Sequence, residues 1–147
     1  MDENEIVRYL KKIHNHLERG KNRDLKRYGL TGTQLEALQY LCRKQERMGT
    51  LSEMALFFDV KHTSILHVVK LLEKKGLIAR AEKKPGSRLR EIRLTESGLK
   101  LVEEMERIKS RIDSIMFAGM ICEEREMLQR LLEKLYQNLK EGDCNGR

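Results

Sequence analysis

The sequence has few of the residues that mark fibrous, membrane-spanning or disulfide-bonded proteins. Its 147 residues include one proline and no tryptophan, and aromatic residues make up only 5%, which excludes collagen-like and proline-rich classes. No run of about 18 apolar residues occurs, so no membrane span is predicted. The first five residues are acidic and polar, unlike a signal peptide. Three widely separated cysteines favour a reducing compartment. The sequence therefore predicts a cytoplasmic protein, and its length corresponds to a single domain.

The positive charge of the chain is concentrated in one segment. The whole sequence carries 30 basic and 23 acidic residues, a net charge of +7. Between Lys61 and Arg93 there are ten basic and three acidic residues, so this segment alone carries +7 and the remaining residues are balanced at twenty of each sign. A local field of this kind attracts polyanions. The distribution favours a nucleic-acid partner over a merely solvated charged surface.

Apolar residues recur at helical spacing through most of the chain. The first predicted helix spans Ile6 to Leu17, and Gly20 within the segment Arg19–Arg23 is expected to end it. Two later helix starts carry the capping-box pattern of a threonine followed three residues later by Gln or Glu. The later helices are predicted to begin after Thr31, after Thr50, at Lys61, at Glu96 and at Glu123, with a frayed tail over 142–147.

The apolar period changes after Gly76. Leu77–Lys83 and Arg88–Leu94 are predicted to be two short strands, joined by a turn at Lys84–Ser87 that holds the only proline. Three helices followed by such a hairpin make a winged helix-turn-helix. We predict a mainly α protein with a small β-hairpin wing, in which residues 30–97 form the DNA-binding core and residues 1–20 and 98–141 form dimerisation helices.

The fourth predicted helix and the wing carry the candidate DNA-binding residues. The helix is expected to read the major groove, because its exposed face presents lysines, imidazoles and hydroxyls that bond base edges or phosphates. Arginine at the wing tip suits the negative potential of a minor groove. Alternatively, Thr63 and Ser64 only start the helix, and the wing charges only protect a strand edge. The candidates are Lys61, His62, Thr63, Ser64, His67, Lys70, Lys83, Lys84, Arg88 and Arg90.

The terminal helices have apolar sides that a compact winged module cannot bury. A two-fold dimer would bury them and would place two reading helices on successive turns of DNA. The sequence therefore predicts that the protein partners itself through its first and last helices. The candidate dimerisation residues are Ile6, Leu10, Ile13, Leu128, Leu131, Leu132, Leu135 and Leu139.

Four motifs occur in an order that is typical of one family of regulators. They are Leu30–Leu38 (LTGTQLEAL), Thr50–Ala55 (TLSEMA), Leu71–Arg80 (LLEKKGLIAR) and Arg93–Leu99 (RLTESGL). Together they resemble the MarR (multiple antibiotic resistance regulator) family of bacterial transcription factors over about residues 6–139. The resemblance implies a cytoplasmic homodimer that binds a pseudo-palindromic operator on double-stranded DNA. Proteins of this family usually repress transcription, and a small molecule or an oxidant often releases them from DNA. The resemblance implies the same behaviour for this protein.

Three positions depart from the pattern that the resemblance implies. Gly86 stands where the family often has an aspartate two residues before the wing arginine, which Arg88 matches. Lys61 starts the reading helix without an acceptor oxygen that could cap it. Leu66 stands where a small hydroxyl residue is common, and it either touches a thymine methyl group or faces inward. These departures concern the choice of operator rather than the fold.

The sequence contains no motif of an enzyme, a cofactor site or a metal site. Phosphate-binding glycine loops, GxSxG, HExxH and CxxC are all absent. His14 and His16 point to different faces of a helix, and His62 and His67 are five residues apart, which is poor spacing for metal ligands. We expect a protein that is not an enzyme and that holds neither metal nor cofactor.

A few residues are candidates for a sensor or effector site. Cys122 lies at a helix start, where a thiolate is stabilised, so it is the candidate oxidant sensor, whereas Cys42 is expected in the core. Several residues suit either an effector pocket or the core: Tyr40, Met105, Met116, Phe117 and Met120.

Two other functions compete with a sequence-specific regulator. A nonspecific architectural protein would share its salt-sensitive DNA binding, because both release counterions. A specificity ratio of roughly 10³ or more over random DNA would identify the regulator. A protein-binding platform would show no DNA footprint, and the charge concentrated in the reading helix and wing argues against it.

Overall fold

The computed structural model of the protein describes residues 3–80 and 91–145. The chain forms two compact units, which meet in sequence between Glu104 and Met105. No helix among the described residues is long and apolar enough to cross a membrane. In chain order the elements are α1 (Glu3–Arg27), α2 (Gly32–Arg43), β1 (Met48–Thr50), α3 (Leu51–Phe58), α4 (His62–Lys74), β2 (Ile78–Arg80), β3 (Glu91–Leu94), α5 (Glu96–Met116) and α6 (Cys122–Asn145).

Helix α1 is longer than its sequence predicts. It continues through Gly20, so the predicted break at 19–23 is wrong. A glycine inside a helix costs about 1 kcal/mol relative to alanine, but it ends a helix only where the chain turns left-handed. That turn occurs at Gly29, whose φ is +65°. There the Leu30 N–H donates to the Leu25 carbonyl at 2.9 Å, and both leucines are buried. Burial of Leu25 therefore carries the helix past the polar stretch that follows Leu17.

The strands form one three-stranded antiparallel sheet in the order β1–β3–β2. Ile92 in the central strand pairs with Gly49 of β1 and with Arg80 of β2. Sequence reasoning identified β2 and β3 but missed β1, because three residues are too few to show an alternating pattern. The mainly α fold with a small β wing is confirmed. The predicted strand residues 81–83 and 88–90 and the turn between them lie outside the described residues.

The predicted capping box forms completely at the start of α2, whereas at the start of α3 the threonine half of the predicted box forms. The Gln34 N–H donates to Thr31 Oγ1 at 3.2 Å, and the Thr31 N–H donates to Gln34 Oε1 at 3.2 Å, which completes a capping box. The Glu53 N–H donates to Thr50 Oγ1 at 3.1 Å. Lys61 stands at the start of α4 and makes no side-chain cap, as its lack of an acceptor predicts.

The core of the first unit lies where α2, α3 and α4 meet the sheet. It is made of apolar side chains that are almost completely inaccessible to solvent, and these hold α3 and α4 in the helix-turn-helix arrangement. Its most deeply buried large members are Leu38, Leu41, Met54, Ile65, Val69, Leu72 and Ile92.

In the second unit, α6 is also longer than predicted. The Ile121 N–H donates to Glu124 Oε2 at 3.0 Å, which satisfies one of the unpaired amides at the start of the helix. At the other end, α6 continues to Asn145. The predicted frayed tail over 142–147 is therefore wrong for residues 142–145, which are helical.

Candidate nucleic-acid interface

Helix α4 is held by one apolar side and exposes the other. Ile65, Val69 and Leu72 are buried, each at 1% exposure or less. The turn before it starts at Asp59, which adopts the left-handed conformation with φ 51°. All six helix residues that the sequence predicted to bind DNA are exposed: Lys61, His62, Thr63, Ser64, His67 and Lys70.

The structure separates these residues into a central row and two flanks. At about 100° per residue around a helix, Thr63, His67 and Lys70 lie opposite the buried side of α4. Lys74 continues this row and is exposed. Lys74 is not among the candidates predicted from the sequence, although the spacing 63, 67, 70, 74 is the helical repeat that identifies it. We call these four residues the reading row.

Ser64 lies on a flank of α4 rather than in the reading row. It lines a cavity of about 200 Å³ together with Thr33 of α2, with Phe58 at the end of α3 and with Val60 in the turn before α4. His62 lies on the opposite flank. Leu66 is half-buried and lines a narrow gap with Leu51 and Ile92, so of its two predicted settings it takes the inward one.

The strands on both sides of the predicted wing tip are paired. Arg80, the last residue of β2, pairs in register with Ile92 of β3. Its guanidinium Nε donates to Glu73 Oε2 at 3.0 Å, which joins β2 to the end of α4. The four predicted wing contacts Lys83, Lys84, Arg88 and Arg90 fall in the segment 81–90, outside the described residues.

The predicted dimerisation residues are exposed on both terminal helices. On α1, Ile6, Leu10 and Ile13 are between 39% and 49% exposed. On α6, exposure rises from 37% at Leu128 to 70% at Leu139. The remaining candidates Leu131, Leu132 and Leu135 lie between these values. Leu17 and Met127, which belong to the predicted apolar faces of these helices, are exposed as well. Sequence reasoning missed three further exposed apolar residues: Val7, Tyr9 and Tyr136.

The second unit carries an open depression of about 540 Å³. Of the predicted effector residues, Met120 lines it. Met105 and Tyr40 are instead buried in the protein. The remaining lining residues are Glu123, Glu124, Met127, Leu128 and Leu131.

The cysteines are unpaired, and the described residues contain no cluster of three or more potential metal ligands. Cys42, predicted to lie in the core, is half-buried. Cys122 is exposed at the start of α6, with its Sγ 3.7 Å from Glu126 Oε1.

Solved structures share this fold over almost the whole chain. A MarR family protein from Bacillus stearothermophilus superposes with a TM-score of 0.70 at 26% identity, covering 95% of this chain and 99% of that one. The chain is similar to MarR family proteins over nearly its whole length. The MepR–DNA complex of Staphylococcus aureus superposes with a TM-score of 0.77 at 26% identity, covering 88% of this chain and 96% of that one. The transcriptional regulator SlyA shares the fold, with a TM-score of 0.62 at 23% identity and coverage of 93% and 95%.

No family model matches the sequence. The superpositions on the Bacillus stearothermophilus protein and on the MepR–DNA complex cover 95% and 88% of the chain, so they include residues of both units.

Proposed function

We propose that this MarR-like protein is a cytoplasmic DNA-binding transcription regulator that acts as a homodimer on a pseudo-palindromic operator and represses transcription. The observation that carries this proposal is the reading row on α4. It sets two lysines, a histidine and a threonine opposite a fully buried apolar side, on the second helix of a helix-turn-helix. The structure of the relative MepR in complex with DNA supports the same use of this fold.

The groups of the reading row match the chemistry of a major groove. Lys70 and Lys74 supply positive charge for phosphates or guanine acceptors, and Thr63 and His67 supply short polar groups for base edges. The segment 61–93 holds the whole net charge of +7. The wing residues Lys83, Lys84, Arg88 and Arg90 are proposed to add contacts with the backbone or the minor groove.

The exposed apolar sides of α1 and α6 support the homodimer. Each helix leaves several large apolar side chains more than a third exposed, and contiguous apolar surface of this kind is typical of interaction sites. A two-fold axis would let each side bury its equivalent from a second copy. It would also place two α4 helices about one DNA turn, roughly 34–36 Å, apart.

We further propose that a small-molecule effector releases the DNA. The depression beside Met120 combines an apolar floor with the carboxylates of Glu123 and Glu124, which is the usual make-up of a site for an amphipathic organic molecule. If the protein instead responds to oxidants, the exposed Cys122 is the candidate.

The experiment that tests the function uses the intergenic DNA beside the protein's own gene. Footprinting should show a protected palindrome, and fluorescence anisotropy at fixed salt should give an affinity for it roughly 10³-fold or more above that for a random duplex. Equal affinity for the two duplexes would support the alternative function, a nonspecific architectural protein. Absence of binding to either would contradict both.

A further inference from the structure

The helices α1 and α4 end in the same kind of turn. After α1, the Gly29 N–H donates to the Lys26 carbonyl at 3.1 Å. After α4, the Gly76 N–H donates to the Glu73 carbonyl at 2.9 Å, and the Leu77 N–H donates to the Leu72 carbonyl at 3.0 Å. Both glycines have positive φ. These are Schellman turns, in which a left-handed residue closes the last turn of the helix.

A single ammonium group joins these two turns to the start of α2. Lys75, the last residue before Gly76, donates from Nζ to the Gly29 carbonyl and to Gln34 Oε1, the latter at 3.2 Å. Gln34 is 5% exposed, and its Oε1 also accepts the Thr31 N–H that closes the capping box of α2. The group therefore contacts the end of α1 and the start of α2 from the end of α4.

The chemistry of lysine suits this position. An ammonium group has three donors that radiate from one nitrogen, so it can bond two acceptors from different helices. The carbonyl oxygen of Gly29 lies at the negative end of α1, where a cation is favourable. The neighbouring Lys74 belongs to the reading row, which lies opposite the buried side of α4 and about 100° around the helix from Lys75. Two adjacent lysines thus face different surroundings.

We propose that Lys75 is a positioning residue for DNA recognition: it holds the reading helix at a fixed angle to the joint between α1 and α2. This inference rests on the proposed function. Because α1 is a proposed dimerisation helix, the same bonds would set how each reading row is presented to its half-site. Lys75 itself points away from the DNA-facing side and contributes no phosphate contact.

The test compares Lys75→Met with Lys74→Met in the full-length protein. Anisotropy titrations over a range of salt would use the footprinted operator and a random duplex of equal length. Lys75→Met should weaken operator binding about tenfold and leave binding to random DNA and the salt slope unchanged, since only phosphate contacts release counterions. Lys74→Met should weaken both and lower the salt slope by about one unit. Lys75→Arg keeps a cation with several donors and should restore most of the operator affinity.

Circular dichroism at the binding temperature separates positioning from simple unfolding. If Lys75→Met does not fold, Lys75→Gln carries the same comparison, because its amide is uncharged and shorter. Equal loss on both duplexes with a reduced salt slope would overturn the proposal in favour of a phosphate contact. Unchanged operator affinity would overturn it as well. Failure of the unmodified protein to prefer the operator would instead refute the proposed function.

Discussion

Gly98 lies against the backbone of Leu77 so closely that no side chain fits between them. A Cβ built on Gly98 would stand 3.2 Å from the Leu77 carbonyl carbon, nearer still to its oxygen, and 2.6 Å from Leu94 Cδ1. The joint is reinforced by Thr95, whose N–H donates to the Leu77 carbonyl at 3.1 Å and whose Oγ1 donates to the Gly76 carbonyl at 2.7 Å. The start of α5 is thereby fixed to the end of the reading helix.

We expect Gly98→Ala to destabilise the protein by about 1–3 kcal/mol or more, the usual cost of overpacking a filled site. Because the obstacle is backbone rather than a movable side chain, α5 must shift away from Leu77. The free energy of unfolding from urea denaturation measures the effect. Gly20→Ala is the matched control, since Gly20 is also helical and its Cβ would meet nothing nearer than 4.0 Å. It should stabilise the protein by up to about 1 kcal/mol. Similar effects of the two changes would contradict the packing argument.

The left-handed residue before the reading helix offers a second test. Asp59 has φ 51° and ψ 49°, a conformation that glycine adopts without steric cost. Asp59→Gly should therefore raise the free energy of unfolding by roughly 0.5–1 kcal/mol. Asp59→Asn removes the same charge but keeps a side chain, so it should give a smaller gain. An equal gain in both variants would assign the effect to charge rather than to backbone conformation.

The arrangement of α4 predicts unequal roles for two polar residues. His67→Ala, in the reading row, should cost about 1–3 kcal/mol of operator binding if the side chain bonds a base edge. Ser64→Ala should cost less, because Ser64 faces the cavity beside Phe58 and Val60. Affinities for operator and random DNA at one salt concentration measure both. A larger loss from Ser64→Ala would place the base contacts on the flank of α4 instead.

The dimer proposal predicts an outcome at Leu131. This residue is 53% exposed in the single chain, so Leu131→Asp should leave the fold of one chain intact. In a dimer interface the buried carboxylate would cost several kcal/mol. Sedimentation velocity should then show monomers where the unmodified protein shows dimers, with loss of operator binding. Gln137→Asp adds the same charge on the opposite side of α6 and should remain dimeric. A dimeric Leu131→Asp variant would place the interface elsewhere.

Local interactions explain why much of the fold is predictable from the sequence. The capping box of Thr31 and Gln34, the end of α4 at Gly76 and the bounds of α3 and α5 each depend on residues within one helical turn. Such signals survive in a single sequence because propensity and capping act over three or four positions. The order of these elements, with the concentrated charge, was sufficient to predict a winged helix-turn-helix.

What the tertiary structure decided lies in contacts between distant residues. Burial of Leu25 and Leu30 extends α1 past Gly20, and pairing with β3 makes a strand of Met48–Thr50. The bonds from Lys75 reach 46 positions back to Gly29 and 41 to Gln34. In the sequence Lys75 is one more lysine in a basic segment, identical in kind to Lys74. A helix turns successive side chains by about 100°, so Lys74 and Lys75 point in different directions. The packing of α4 against α2 then decides that Lys75 lies among helix termini and that Lys74 lies on the reading row.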